Sequence, residues 1–378
     1  MRYIVALFIT SFILVSGCSS SSSPAGGGTS NTVAAMQSLG KKIFFDTNLS
    51  SSSNQSCGSC HDPAAGFADP NVTVSAPVSE GSEKNINSFG NRNAPTAAYA
   101  SFTPVFAKTT TDTTTDGTIS NYQGGQFLDG RRPDLMEQAK DPFLNTVEMN
   151  NVDAADVVTK VSNSTYASDF TALFGSGAFD NINTAYDNIA KAIAAFEASS
   201  EVNKFSSKFD NVMGGTDTFT ASEQRGLDLF KGTKAKCANC HTIPDSGPVL
   251  FTNHRYYNIG TPSNLANPAV IASSGYIDNG LAENTSVINA GDVVTTAGKF
   301  RTPTLRNIAL TAPYMHNGFY QTLDQVINHY DIQISQQFAT PEISSNIANE
   351  LTNNNNALGL TDTEKTDLVN FMKTLTDL

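Results

Sequence analysis

Two short runs, Cys57-Gly58-Ser59-Cys60-His61 and Cys237-Ala238-Asn239-Cys240-His241, constrain this chain more than any other feature. Each is a C-x-x-C-H, the attachment signal of c-type haem. Two thiols three positions apart reach the two vinyl groups of one haem edge, and the His that follows offers its imidazole to the iron. A C-x-x-C has other uses. In an oxidising compartment the pair could close as a disulfide. A thioredoxin-like redox motif needs a βαβ context that the sequence does not show. A His directly after the second Cys is poorly placed to share a zinc ion with it. Of five cysteines, two identical motifs use all but Cys18, which favours two covalent haem c groups with His61 and His241 as proximal ligands.

Cys18 has its own context. Arg2 and the apolar run Tyr3 to Val15 read as a secretory leader spanning 1–17, too short for a confident spanning helix. Val15-Ser16-Gly17-Cys18 resembles the bacterial lipobox, so Cys18 is the candidate lipidation site. A Ser/Gly-rich tether, 18–30, follows. An ordinary cleaved leader with a stray Cys is the competing reading. The lipidated form would sit in the periplasm, anchored to the outer membrane by its lipid alone. Lys plus Arg number 23 against 35 Asp plus Glu, a formal charge of −12. That balance excludes a nucleic-acid binder, which needs a basic face.

The motifs lie 180 positions apart and split the mature chain into halves, 31–205 and 206–378. Each half opens on an amphipathic segment: Met36, Leu39, Ile43 and Phe44 in the first, Leu227 and Phe230 after the capping box Thr220-x-x-Glu223 in the second. Helical periodicity returns at 184–198 and 362–375. Ser206 to Asp217, with Gly214-Gly215, reads as the linker, and 108–126 and 261–298 as long loops. The expected fold is mainly α: two cytochrome c-type haem domains with long loops.

Further stretches resemble a family, the bacterial diheme cytochrome c peroxidases with the related MauG-type diheme oxidases. They are Leu39-Gly40-Lys41-Lys42-Ile43-Phe44-Phe45-Asp46, Asn91-Arg92-Asn93-Ala94-Pro95-Thr96, Phe127-Leu128-Asp129-Gly130-Arg131 and Asn145-Thr146-Val147-Glu148-Met149. The second half adds Lys299 to Asn307 and Thr311 to Gly318. The resemblance implies that the C-terminal haem accepts single electrons from a small donor, a cytochrome c or a copper protein. The N-terminal haem would reduce hydrogen peroxide to water. It implies Glu148 as the distal carboxylate that moves a proton on bound peroxide, and Pro142 as a residue narrowing the same pocket. Asn93 matches a side-chain ligand of an interdomain calcium ion. Arg131 and Arg306 are candidates for haem propionates, with surface solvation the alternative. A homodimer is compatible with it.

There are only five His: 61, 241, 254, 316 and 329. Met315 is the expected sixth ligand of the C-terminal haem, since a thioether raises the potential; neighbouring His316 is the alternative. Residues 62–92 contain no His, so the N-terminal iron is expected to keep an open position and to need no reductive activation. The family's Trp between the haems is Leu128 here, and the chain has no Trp. Leu cannot be oxidised, so electrons would tunnel directly or pass by Tyr122 or Phe127. Three functions remain in view: a peroxidase, a MauG-like oxidase that modifies a partner protein, and a diheme electron carrier without catalysis.

Overall fold

The computed structural model describes residues 28–83, 88–109, 121–273, 275–333, 340–348 and 358–378. The leader 1–17 and Cys18 lie outside the described residues. Helix α1, Gly28–Phe44, already begins inside the span read as tether.

One device builds both halves. In the first, α1 buries Leu39, Ile43 and Phe44 against the helix Ile182–Glu197, whose buried face carries Ile189, Ile193 and Phe196. The helices cross so closely at Gly40 that a Cβ there would lie 1.8 Å from the Ala192 carbonyl oxygen. Four residues on, Phe44 meets Phe196 edge-on at 5.2 Å between ring centroids. In the second half the capping box Thr220/Glu223 starts the helix Ala221–Lys231, which packs on the terminal helix Asp362–Lys373. Gly226 is the crossing point, 2.0 Å from the Asp367 carbonyl by the same measure. Phe230 meets Phe371 at 5.3 Å. The crossed pair is therefore repeated with its glycine and its aromatic contact in register.

The two apolar cores follow this division, the first ending at Val202 and the second starting at Phe209. The span read as linker is not featureless. Ser207 and Asp210 form a capping box that starts the helix Lys208–Met213, because Ser207 satisfies first-turn N–H groups before Gly214 ends the helix. Likewise 261–298 holds the short helices Pro268–Ala272, Thr285–Asn289 and Val293–Thr296.

The halves are stitched by segments of irregular backbone. Strands β1 (Ala107–Lys108) and β2 (Tyr122–Gln123) pair antiparallel, as do β3 (Tyr256–Tyr257) and β4 (Phe300–Arg301), with Tyr256 opposite Arg301. A small cluster of Tyr122, Tyr256, Leu281 and Val287 crosses the boundary. Beside it Arg92 is buried between two carboxylates, with Nε 2.6 Å from Asp278 and Nη1 on Asp129. Mainly helical, loop-rich and doubled, this is the fold class expected from the sequence.

Candidate functional site

Both C-x-x-C-H turns present their His in the same way. Cys57–Cys60 is one helical turn and Cys237–Asn239 a tighter 3-10 turn. In each, the His N–H donates to the carbonyl of the first Cys at 2.9 Å. His61 Nδ1 lies 3.0 Å from the Phe67 carbonyl, and His241 Nδ1 lies 2.8 Å from the Phe251 carbonyl. A carbonyl only accepts, so Nδ1 carries the proton and Nε2 keeps its lone pair for a metal. The two Phe residues share a left-handed backbone, φ 60° and 53°. Matching threonines hold the loops: Thr96 Oγ1 donates to Gly66 O at 2.6 Å and Thr304 Oγ1 to Leu250 O at 2.7 Å. Burial lowers the pKa of both imidazoles, His241 to about 4, so both remain neutral.

None of the four cysteines is in a disulfide, and all four are half-buried. Burial pushes the pKa of Cys57, Cys60 and Cys237 up, to about 12 for the latter two. Dithiol exchange needs a depressed thiolate pKa, so these turns are not built for it. Among the described residues there is no cluster of three or more side chains suited to a structural metal ion. Thiols outside any disulfide, beside a neutral, oriented imidazole, are what covalent haem c requires, and the residues fit that group.

On the first turn's open side stands Glu148. Its segment is folded back on the helix Leu135–Leu144: the Met149 N–H donates to the carbonyl of Pro142 at 3.1 Å, and Ser82 N–H donates to the Glu148 carbonyl at 2.8 Å. Pro142 and Glu148 thus lie on one folded-back segment. Asn145 Nδ2 donates to Glu148 Oε2 at 3.0 Å. The carboxyl lies close enough to Cys57 and Cys60 to act on both electrostatically. Burial raises its pKa, with Asn145 and the Arg131 guanidinium pulling the other way. Arg131 itself pairs with Asp129 at 3.0 Å and lies over the Phe127 ring at 3.4 Å.

The second turn opens on a cavity lined by Cys237, Cys240, His241, Leu128, Met315 and Tyr330, among others. Met315 reaches it from a left-handed backbone, φ 74°. His316 is committed elsewhere, its ring stacked on Phe300 at 3.8 Å and its Nε2 3.0 Å from Glu342 Oε2. His329 has both ring nitrogens occupied, by Tyr320 and the Ile259 carbonyl. Tyr330 was not found in the sequence. It lies on a single π-turn, His329–Gln333, and its phenol, its pKa raised by burial, interacts with the charges of Cys240 and Cys237. π-turns mark functional sites, and a Tyr oxygen is a known kind of haem ligand, but no motif in the sequence signals either.

Arg306 corrects an expectation. It is neither solvated nor offered to the cavity: its guanidinium is 1% exposed and forms a two-pronged pair with Asp210 at 2.6 and 2.7 Å. The helix at Lys208–Met213, read as linker, supplies that partner. Asn93 lies at the boundary between the halves, its Nδ2 donating to the Pro313 carbonyl at 2.6 Å and its N–H to the His316 carbonyl at 2.7 Å. Three buried groups were missed altogether. Glu197 Oε2 and His254 Nδ1 have no hydrogen-bond partner, and Arg301 has no acidic partner among the described residues. Nothing in their sequence neighbourhoods distinguishes them.

The chain was compared with known proteins. The family model for di-haem cytochrome c peroxidase matches residues 34–218. The methylamine utilization protein MauG of Paracoccus denitrificans is 36% identical over 361 residues, covering 91% of this chain and 89% of that protein. Cytochrome c551 peroxidase of Pseudomonas aeruginosa is 32% identical over 313 residues, covering 82% and 76%. Among solved structures, a variant of the diheme peroxidase BthA from Burkholderia thailandensis superposes with a TM-score of 0.81 at 29% identity, covering 91% and 86%.

Proposed function

The chain belongs to the di-haem cytochrome c peroxidase and MauG family of oxidoreductases, and from that premise we propose that it is a periplasmic, lipid-anchored peroxidase. It reduces hydrogen peroxide to water with single electrons from a small cytochrome c or copper protein. The observation that carries this reading is Glu148, a half-buried acid held beside Cys57 and Cys60 on a segment fixed through Pro142, Asn145 and Ser82.

Haem c, when bound, supplies the iron that accepts electrons and breaks the O–O bond. His61, fixed by the Phe67 carbonyl, holds the N-terminal group. Glu148 accepts a proton from the near oxygen of peroxide and returns it to the departing one; Asn145 keeps the carboxyl aimed. His241 would hold the C-terminal group, and Met315 would supply a further donor to its iron, with Tyr330 an alternative donor on the same cavity. Neither His316 nor His329 has a free Nε2 to offer. A calcium ion at Asn93 and a homodimer belong to the proposal, not to the geometry.

The similarity to MauG favours a second reading, oxidation of a partner protein. The experiment is a peroxide titration of the fully oxidised holoprotein, followed by EPR, with and without a reduced donor cytochrome. A peroxidase shows a high-spin signal that converts on adding peroxide and turns over with the donor. An oxidase holds a long-lived oxidised state instead. Two low-spin signals blind to peroxide would overturn both readings. In optical absorption spectra of the same samples, a sulfur-to-iron charge-transfer band lost in Met315→Ala identifies Met315, whereas its absence from the parent protein assigns the position to Tyr330.

A further inference from the structure

With Leu128 at the place of an aromatic relay, the contact between the two haem sites must run through other atoms. Among the residues that join the two halves at the wall of the C-terminal cavity, one carries an unmatched charge. Arg301, on β4, is 8% exposed and lines the cavity together with His241 and Leu128. Its backbone N–H donates to the Leu128 carbonyl at 2.8 Å, and its Nε to the Phe127 carbonyl at 3.3 Å. Phe127 and Leu128 belong to the N-terminal half, and three residues beyond Leu128 is Arg131, which acts electrostatically on Glu148.

The remainder of the guanidinium is unmatched. No carboxylate lies within ion-pair distance of Arg301 among the described residues, and both Nη groups lack an acceptor there. Asp129, the nearest acid by its electrostatic effect, is already taken by Arg92 and Arg131. Burial accordingly pulls the guanidinium pKa down. A buried cation without an anion is costly enough that proteins rarely keep one. Next to it, His254 Nδ1 is buried and bonded to nothing. The unmatched guanidinium at the cavity wall calls for an anionic ligand with several oxygens, and a haem edge carries two carboxylates.

We propose that Arg301 binds a propionate of the C-terminal haem through its Nη groups while Nε and the backbone N–H hold the Phe127–Leu128 carbonyls, so that this one residue couples the two haem sites. Arg301 is a positioning residue: it touches no substrate. The inference rests on the two-haem reading above, and it gives the route that electrons take when the relay position holds Leu128.

The test uses the holoprotein with Arg301→Met and Arg301→Lys, each checked for two covalent haems by mass. A cation at a propionate favours the reduced iron, so R301M is expected to shift the midpoint potential of the C-terminal haem to more negative values. R301K keeps the charge and loses the fork. It is expected to hold the potential close to the parent value, while oxidation of the C-terminal haem slows after half-reduced protein is mixed with peroxide. An unchanged potential in R301M overturns the proposal, as does an equal loss of potential in both variants, which would signify packing alone. If R301M does not load haem, R301K still decides, since a parent-like electron-transfer rate in it overturns the coupling. Potentiometry needs no peroxide, so the propionate contact is judged even if the parent protein proves not to be a peroxidase.

Discussion

Glu148 and Glu197 are both carboxyls that burial holds above the ordinary carboxylate range, and their surroundings give them opposite meanings. Glu148 has Asn145 and Arg131 to favour its charged form, so it can take a proton and give it back. Glu148→Gln should lower peroxide turnover by about 10²–10⁴-fold and leave the C-terminal haem spectrum unchanged; an equal effect on both haems would mark a folding defect. Because the acting form is ionised and its pKa is raised, turnover should fall on acidification at a pH above that of an ordinary carboxylate. Glu197 has nothing to favour its charge, and burial alone lifts its pKa from 4.5 to about 8. Between those values the native state holds a proton that the unfolded chain has released. Stability therefore falls as pH rises through that window, approaching about 1.4 kcal/mol per unit. Glu197→Gln removes the titration, so the variant should gain on the parent from pH 4.5 to 8 in denaturant unfolding; parallel pH profiles would contradict it. Glu148 was legible because its neighbours form a recognisable run. Glu197 was not, since a Glu near a helix end looks solvated until the fold closes over it.

At the scale of elements, the crossed helix pairs are the parts the sequence predicts best. Apolar periodicity places α1 and the Ala221–Lys231 helix, and a capping box fixes the start of the second. What periodicity does not show is how near the partners come. Gly40 and Gly226 face backbone carbonyls that cannot turn aside, so Ala at either position must separate a helix pair. Each change should cost about 1–3 kcal/mol by overpacking, read as a lower midpoint in chemical denaturation. No loss in Gly226→Ala would mean the terminal helix can slide. The Lys208–Met213 helix escaped notice for a different reason. Its capping box precedes only six helical residues and a Gly-Gly pair, a pattern with the local signals of a linker. Its value lies in a long-range contact, the Asp210 carboxylate delivered to Arg306, and no local pattern encodes that.

For the whole molecule, the duplicated half explains how each imidazole is held but not how the two sites act together. Coupling depends on the boundary, where Arg92 is buried between Asp129 of one half and Asp278 of the other. Each partner supports the charge of the others: the carboxylates hold the guanidinium pKa up, and Arg92 keeps Asp278 below the usual carboxylate range. Truncation leaves two buried carboxylates facing each other, a state that costs about 3–5 kcal/mol. Asp129 would retain only half-exposed Arg131 as a partner, and it follows Leu128 directly in the chain. Arg92→Ala should therefore loosen the Phe127–Arg131 segment as well as the boundary. The expected result is a lower first unfolding midpoint, with the two halves unfolding in separable steps. Electron transfer between the haems should slow while both proximal sites keep their spectra. Arg92→Lys restores one ion pair but not the fork that spans two acids, so it should recover stability in part and the transfer rate less. A single transition at the parent midpoint in Arg92→Ala would show that the halves are held by their apolar contacts instead, with the Phe127–Arg131 segment kept in place by Arg301 and by Asn284, whose Nδ2 donates to the Asp129 carbonyl.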